Sequence, residues 1–170
     1  MLLEESLRRM NPMQTNPSSA FLAIFWGGLA CGIFDITQAF IAFRLQSGLR
    51  PHQVLQSVAS GLLGKAAFQG GTQTAILGFF AHFFIAFSWA AIFYVLSRRF
   101  TFLTESPVIA GLLYGEFVWL AMTFVVLPLS AIHRWPVWNA AQIITGPIGH
   151  TVLVGLPIAL AISRFAPVHR

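Results

Sequence analysis

Charged side chains are scarce in this chain: they make up 9% of its 170 residues, ten Lys and Arg against five Asp and Glu. A water-soluble domain carries about 25%, so these few charges cannot clothe a soluble globule, and the chain reads as a membrane protein. Cysteine is nearly absent. Cys31 alone excludes an intramolecular disulfide framework, and its place inside an apolar run suits a packed thiol rather than a reactive one. No Ser/His/Asp or Cys/His arrangement for nucleophilic chemistry is recognisable, and the chain is not read as an enzyme. A clustered basic face is also missing. The net charge is +5 and the isoelectric point about 10.7, but Lys and Arg fall at the edges of apolar runs, where lipid headgroups rather than nucleic acid would meet them. Finally, the first apolar stretch follows Glu4, Glu5, Arg8 and Arg9 and leads into no small-residue cleavage site, so it is expected to stay in the mature protein.

What the chain has in abundance is apolar sequence, with 56% hydrophobic residues, 17 of them Phe, and a mean hydropathy of +0.74. A helix needs about 20 such residues to cross a hydrocarbon core. Four stretches qualify, at about residues 20–43, 75–97, 107–129 and 140–163. They are continuous rather than short and alternating, which predicts helices and not a β-barrel. The expected fold is therefore an all-α integral membrane bundle of four spans in one domain, residues 20–163, with tails at 1–19 and 164–170. Arg8, Arg9, Arg98, Arg99, Arg164 and Arg170 fall on one side and Arg44, Arg50, Lys65 and Arg134 on the other, which predicts cytoplasmic N and C termini. Trp135 and Trp138, around Pro136, suit an interfacial aromatic belt.

The one long connection, residues 45–74, contains an expected amphipathic helix at about 52–68. Pro51 can start it. Val54, Leu55, Val58, Leu62, Leu63 and Ala66 recur at helical spacing on one side, with Gln53, Gln56, Ser57, Ser60 and Lys65 on the other. Such a helix would lie on the outer membrane surface or cap the bundle, and Gly70 and Gly71 would turn the chain into the second span. Gly61 to Lys65, GLLGK, lacks the spacing and the Ser/Thr of a phosphate loop. Gly27, Gly28 and Gly32, Gly111 and Gly115, and Gly146, Gly149 and Gly155 are expected to let helices approach closely, and the Gly111–Gly115 step would serve a dimer as readily as an internal contact. A kink is expected at Pro157.

Each span holds one ionisable residue well inside it: Asp35, His82, Glu116 and His150. Such groups cost several kcal/mol in lipid unless paired or wetted, which makes each a candidate for function. By helical rise, Asp35, His82 and His150 lie at similar depths and Glu116 about 4–6 Å deeper. Three readings stay open. The four can form a proton- or ion-linked transport site, because carboxylates and imidazoles pass protons. They can be interhelical hydrogen-bonding residues of a structural or accessory protein. His82 and His150 can also ligate zinc, iron or haem b, although no cofactor is the leading expectation. A chain of this size leaves little room for an alternating-access route, so a transporting form is expected to be a homo-oligomer.

The stretch from Gln56 to Arg99, followed by GLLYGEFVWLAMTFVVLPLSA from Gly111 to Ala131 and GHTVLVGLPIALA from Gly149 to Ala161, resembles small bacterial inner-membrane proteins and, more distantly, the YagU-like proteins. The shared order is a His-containing apolar span, a glycine-led span ending in a Pro-containing turn, and a final span led by Gly-His. The resemblance implies a bacterial cytoplasmic-membrane location and a four-helix plan, and brings no activity with it.

Overall fold

The computed structural model describes residues 17–135 and 140–166, so Arg8, Arg9, Pro136, Trp138 and Arg170 lie outside the described residues. Helix α1 spans Pro17–Ser47, α2 Pro51–Leu63, α3 Gly71–Arg99, the short α4 Phe102–Glu105, and α5 Pro107–Leu129. Helix α6 runs over residues 140–165. No strand occurs among the described residues. The fold is an all-α four-helix bundle, and α1, α3, α5 and α6 are long and apolar enough to cross a membrane. At 31 residues, α1 is about 46 Å long against a hydrocarbon core of about 30 Å.

The core is built from Cys31, Phe93, Val118, Ile158 and Ile162, all buried where α1, α3, α5 and α6 meet. Large apolar side chains also face outward. Phe21, Phe80, Phe84, Val95 and Leu113 are exposed, as expected of helices whose solvent is lipid rather than water. Small residues set the helix spacing. Gly111 and Gly115 on α5 meet Gly155 and the His150 carbonyl on α6, so this glycine step makes an internal contact. Gly28 and Gly32 on α1 receive the rings of Phe87 and Phe83 on α3.

Two helices widen in the same way. Met122–Val126 in α5 and His150–Gly155 in α6 are π-helical turns, and each is followed by a Leu-Pro step, Leu127-Pro128 and Leu156-Pro157. A proline inside a helix cannot donate to the carbonyl four residues back, and its ring crowds that carbonyl. A π turn relieves the crowding within a continuous helix. At Pro157, where the sequence predicts a kink, α6 carries a π turn, and Pro128 has its counterpart. Pro147 lies inside α6 as well.

Helix α2 forms where expected. Pro51 occupies its first turn, the Arg50 N–H donates to Gln53 Oε1 at 2.8 Å, and a 3₁₀ segment, Gly64–Gln69, follows it. Its inward side departs from expectation. Gln56 and Ser60 are buried together with Val54 and Ala59, while Leu62 and Leu63 are exposed. The reason lies on α3. Gly78 lets the backbone of Leu55 and Ala59 approach, which turns Gln56 toward the start of α3. There its amide donates to the Gly71 carbonyl at 3.1 Å and to Thr74 Oγ1 at 3.3 Å.

Candidate functional site

A cavity of about 310 Å³ opens between α1, α2, α5, α6 and the segment after α5. Its wall on α1 is a single helical stripe, with Asp35, Gln38, Ala39, Ala42, Phe43 and Gln46 at intervals of three and four. From Asp35 to Gln46 this stripe climbs roughly 16 Å. Trp119, Thr123 and Leu127 form the α5 wall, and Thr145, Gly146 and His150 the α6 wall. Ser57 comes from α2, and Arg134 and Trp135 come from beyond α5. Thr123 and His150 both belong to the π turns, so the widening of α5 and α6 falls on cavity-lining positions. Gly146 accommodates the indole of Trp119, and Gly149 the side-chain amide of Gln38.

Asp35 marks the deep end of the α1 stripe and has a second neighbour behind it. His82 on α3 is buried, and its Nδ1 stands 4.0 Å from Asp35 Oδ2. Its other nitrogen, Nε2, lies 2.9 Å from the Gly32 carbonyl oxygen on α1. A carbonyl can only accept, so Nε2 carries a proton, and Nδ1 is the basic nitrogen that faces the carboxylate. A carboxylate and a basic nitrogen facing each other are two acceptors with room for one proton. At 4.0 Å the two stand at ion-pair rather than hydrogen-bond distance, and a proton bound on one side or the other gives an imidazolium beside a carboxylate or a neutral ring beside a carboxylic acid. The edge of the Phe83 ring stands against the His82 ring, with centroids 5.4 Å apart.

His150 lines the cavity from the other side. Its Nδ1 donates to the Gly146 carbonyl at 3.0 Å, which leaves Nε2 as its accepting nitrogen. Glu116 stands beside Thr151, with Oε2 3.4 Å from the Thr151 hydroxyl, and is not a lining residue. That hydroxyl has one proton and lies closer, 2.7 Å, to the Pro147 carbonyl, so its link to Glu116 is the weaker one.

Of the four residues singled out in the sequence, Asp35 and His82 stand at ion-pair distance, Asp35 and His150 line one cavity, and Glu116 lies beside Thr151 outside that lining. Among the described residues no group of three His, Cys, Asp or Glu side chains is placed to hold a metal ion. His150 lines the cavity and His82 stands behind Asp35, outside its lining, so the two rings do not face one another across the cavity as a haem pair would. Sequence reasoning passed over Gln46, Ser57, Trp119, Thr123, Arg134 and Thr145. The stripe on α1 was the available signal, since Asp35, Gln38 and Gln46 fall on one face of an otherwise apolar helix.

Compared with family models, curated proteins and solved structures, the chain matches none.

Proposed function

We propose that this chain is a multi-pass protein of the bacterial cytoplasmic membrane, with both termini cytoplasmic, in which the Asp35–His82 pair carries protons for ion-linked transport. The observation that carries this reading is the double contact of Asp35. Its carboxylate lines the cavity on one side and faces the basic nitrogen of a buried histidine on the other. An ionisable pair between apolar helices is how proton relays in pumps and transporters are built. The four long apolar helices support the membrane reading, and the arginines closing α3 and α6, Arg98, Arg99 and Arg164, support the orientation. Two copies or more would supply the room that one small bundle lacks.

The test is proton flux into liposomes loaded with a pH-sensitive dye and driven by an imposed pH gradient. The wild-type chain is expected to carry protons, and Asp35→Asn and His82→Gln to abolish the flux while keeping the helical circular dichroism spectrum. Variants that retain full flux would remove the proposal. A structural reading draws on the His82–Gly32 bond, which ties α3 to α1 whatever the protein carries. Its signature is a lowered unfolding temperature in His82→Gln with no flux in any form.

A further inference from the structure

We infer that the cavity binds a small organic anion with an apolar body, a monocarboxylate in its simplest form, and takes it up together with the proton held by Asp35 and His82. This rests on the proton-carrying role proposed above and names its passenger.

The argument begins with the charges. Among the described residues, the lining side chains that carry a full charge in their ordinary ionised form are Asp35 in its depth and Arg134 from the segment after α5. With no proton on the Asp35–His82 pair these charges cancel. With one proton the pair is neutral in either of its forms, and the guanidinium of Arg134 is the remaining charge. The protonated cavity is therefore a site for one negative charge, and the unprotonated one is not. Arginine suits a carboxylate in particular, because its planar fork can meet both oxygens.

The walls describe the rest of the ligand. Ala39, Ala42, Phe43, Trp119, Leu127 and Trp135 supply apolar and aromatic surface. Gln38, Gln46, Ser57, Thr123 and Thr145 supply a few polar groups along the way. A mostly apolar pocket with a few placed polar groups is the common form of a small-molecule site, and about 310 Å³ is at the small end of the usual range of about 300–1,000 Å³. A body of one ring or a short branched chain fits that description. An anion and a proton bound together are neutral as a pair, which lowers the cost of moving them between apolar helices.

The other titratable groups around the pair do not oppose this count. On α1, Cys31 is buried one turn away. On α5, the Tyr114 hydroxyl donates to the Trp89 carbonyl, and Glu116 stands at Thr151 outside the lining. On α6, His150 adds positive charge when protonated and so favours an anion in the same direction. Helix α2 contributes Ser57 to the lining, and its His52 is exposed.

The experiment is calorimetric titration of the purified full-length chain in detergent with benzoate, benzamide and benzylamine, at about pH 6 and about pH 8, which bracket the range where histidine changes charge. Benzoate stays an anion across that range, so any change in its affinity comes from the protein. Benzoate is expected to bind about tenfold more tightly at the lower pH, to bind better than benzamide, and to outcompete benzylamine. Arg134→Gln is expected to lose the preference for benzoate over benzamide, and Asp35→Asn to lose the pH dependence while His150→Gln keeps most of it. Equal affinity for the three probes, a preference for benzylamine, or pH dependence that disappears in His150→Gln alone would overturn the inference. Asp35-dependent proton flux without selective benzoate binding would remove this inference and leave the proposed function. Selective, pH-linked benzoate binding without flux would keep the anion site and remove transport.

Discussion

Gly155 of α6 and Gly111 of α5 meet backbone to backbone, so closely that a Cβ built on Gly155 would stand 1.9 Å from the Gly111 carbonyl oxygen. No rotamer change relieves such a clash, because the atom in the way belongs to a helix backbone. Gly155 closes the π turn that begins at His150, so the contact also fixes how the cavity-lining part of α6 lies against α5.

Gly155→Ala is therefore expected to push α6 off α5 and to cost about 3 kcal/mol, the upper end of ordinary overpacking. Gly61→Ala is the matched control. A Cβ there would meet only Ser130 at 3.8 Å, and alanine suits a helix better than glycine, so unchanged or slightly higher stability is expected. Thermal unfolding in detergent separates the two. Similar melting temperatures for both variants would contradict the packing described for α5 and α6.

Tyr114 tests the contact between α3 and α5. Its hydroxyl donates to the Trp89 carbonyl at 2.7 Å, and its ring stands edge-on to Phe93 with centroids 4.8 Å apart. Tyr114→Phe keeps the ring and removes the bond, so a loss of about 1 kcal/mol is expected. Tyr114→Ala removes both and leaves a cavity, with an expected loss of about 3–5 kcal/mol. Equal losses in the two variants would mean that the hydroxyl and not the ring ties these helices together.

The four long apolar helices were legible in the sequence because length and hydropathy are local properties of the chain. The pairing of Asp35 with His82 was half legible. Helical rise put the two at one depth, but rotation about the helix axes, which decides whether they meet, is set by Gly32 receiving Phe83 and by the His82–Gly32 bond. Arg134 was read only as a charge for orientation, because nothing local says that the segment after α5 folds over the α1 stripe. The inward side of α2 was legible only in part, since Val54 packs inward as expected while Leu62 and Leu63 do not. An apolar face seeks the protein in water, but beside lipid it can turn outward, and the same periodicity serves both arrangements.

The face of α2 can be settled by two substitutions whose expected effects exchange if the assignment is reversed. Gln56 is buried and donates to the Gly71 carbonyl and to Thr74 Oγ1, and the Thr74 hydroxyl in turn donates to the Ala67 carbonyl at 2.7 Å. This small network ties α2, the 3₁₀ segment and the start of α3 into one unit. Gln56→Leu keeps the bulk and removes both bonds from α2 to the start of α3, at an expected cost of about 1–3 kcal/mol. Leu62 is 60% exposed, and Leu62→Gln is expected to change stability by no more than about 0.5 kcal/mol. Were the leucine face the packed one, Leu62→Gln would be the damaging change and Gln56→Leu the neutral one. The order of the two unfolding temperatures therefore decides which side of α2 meets the protein. It also decides whether Ser57, on the same helix, is held at the cavity or turned away from it.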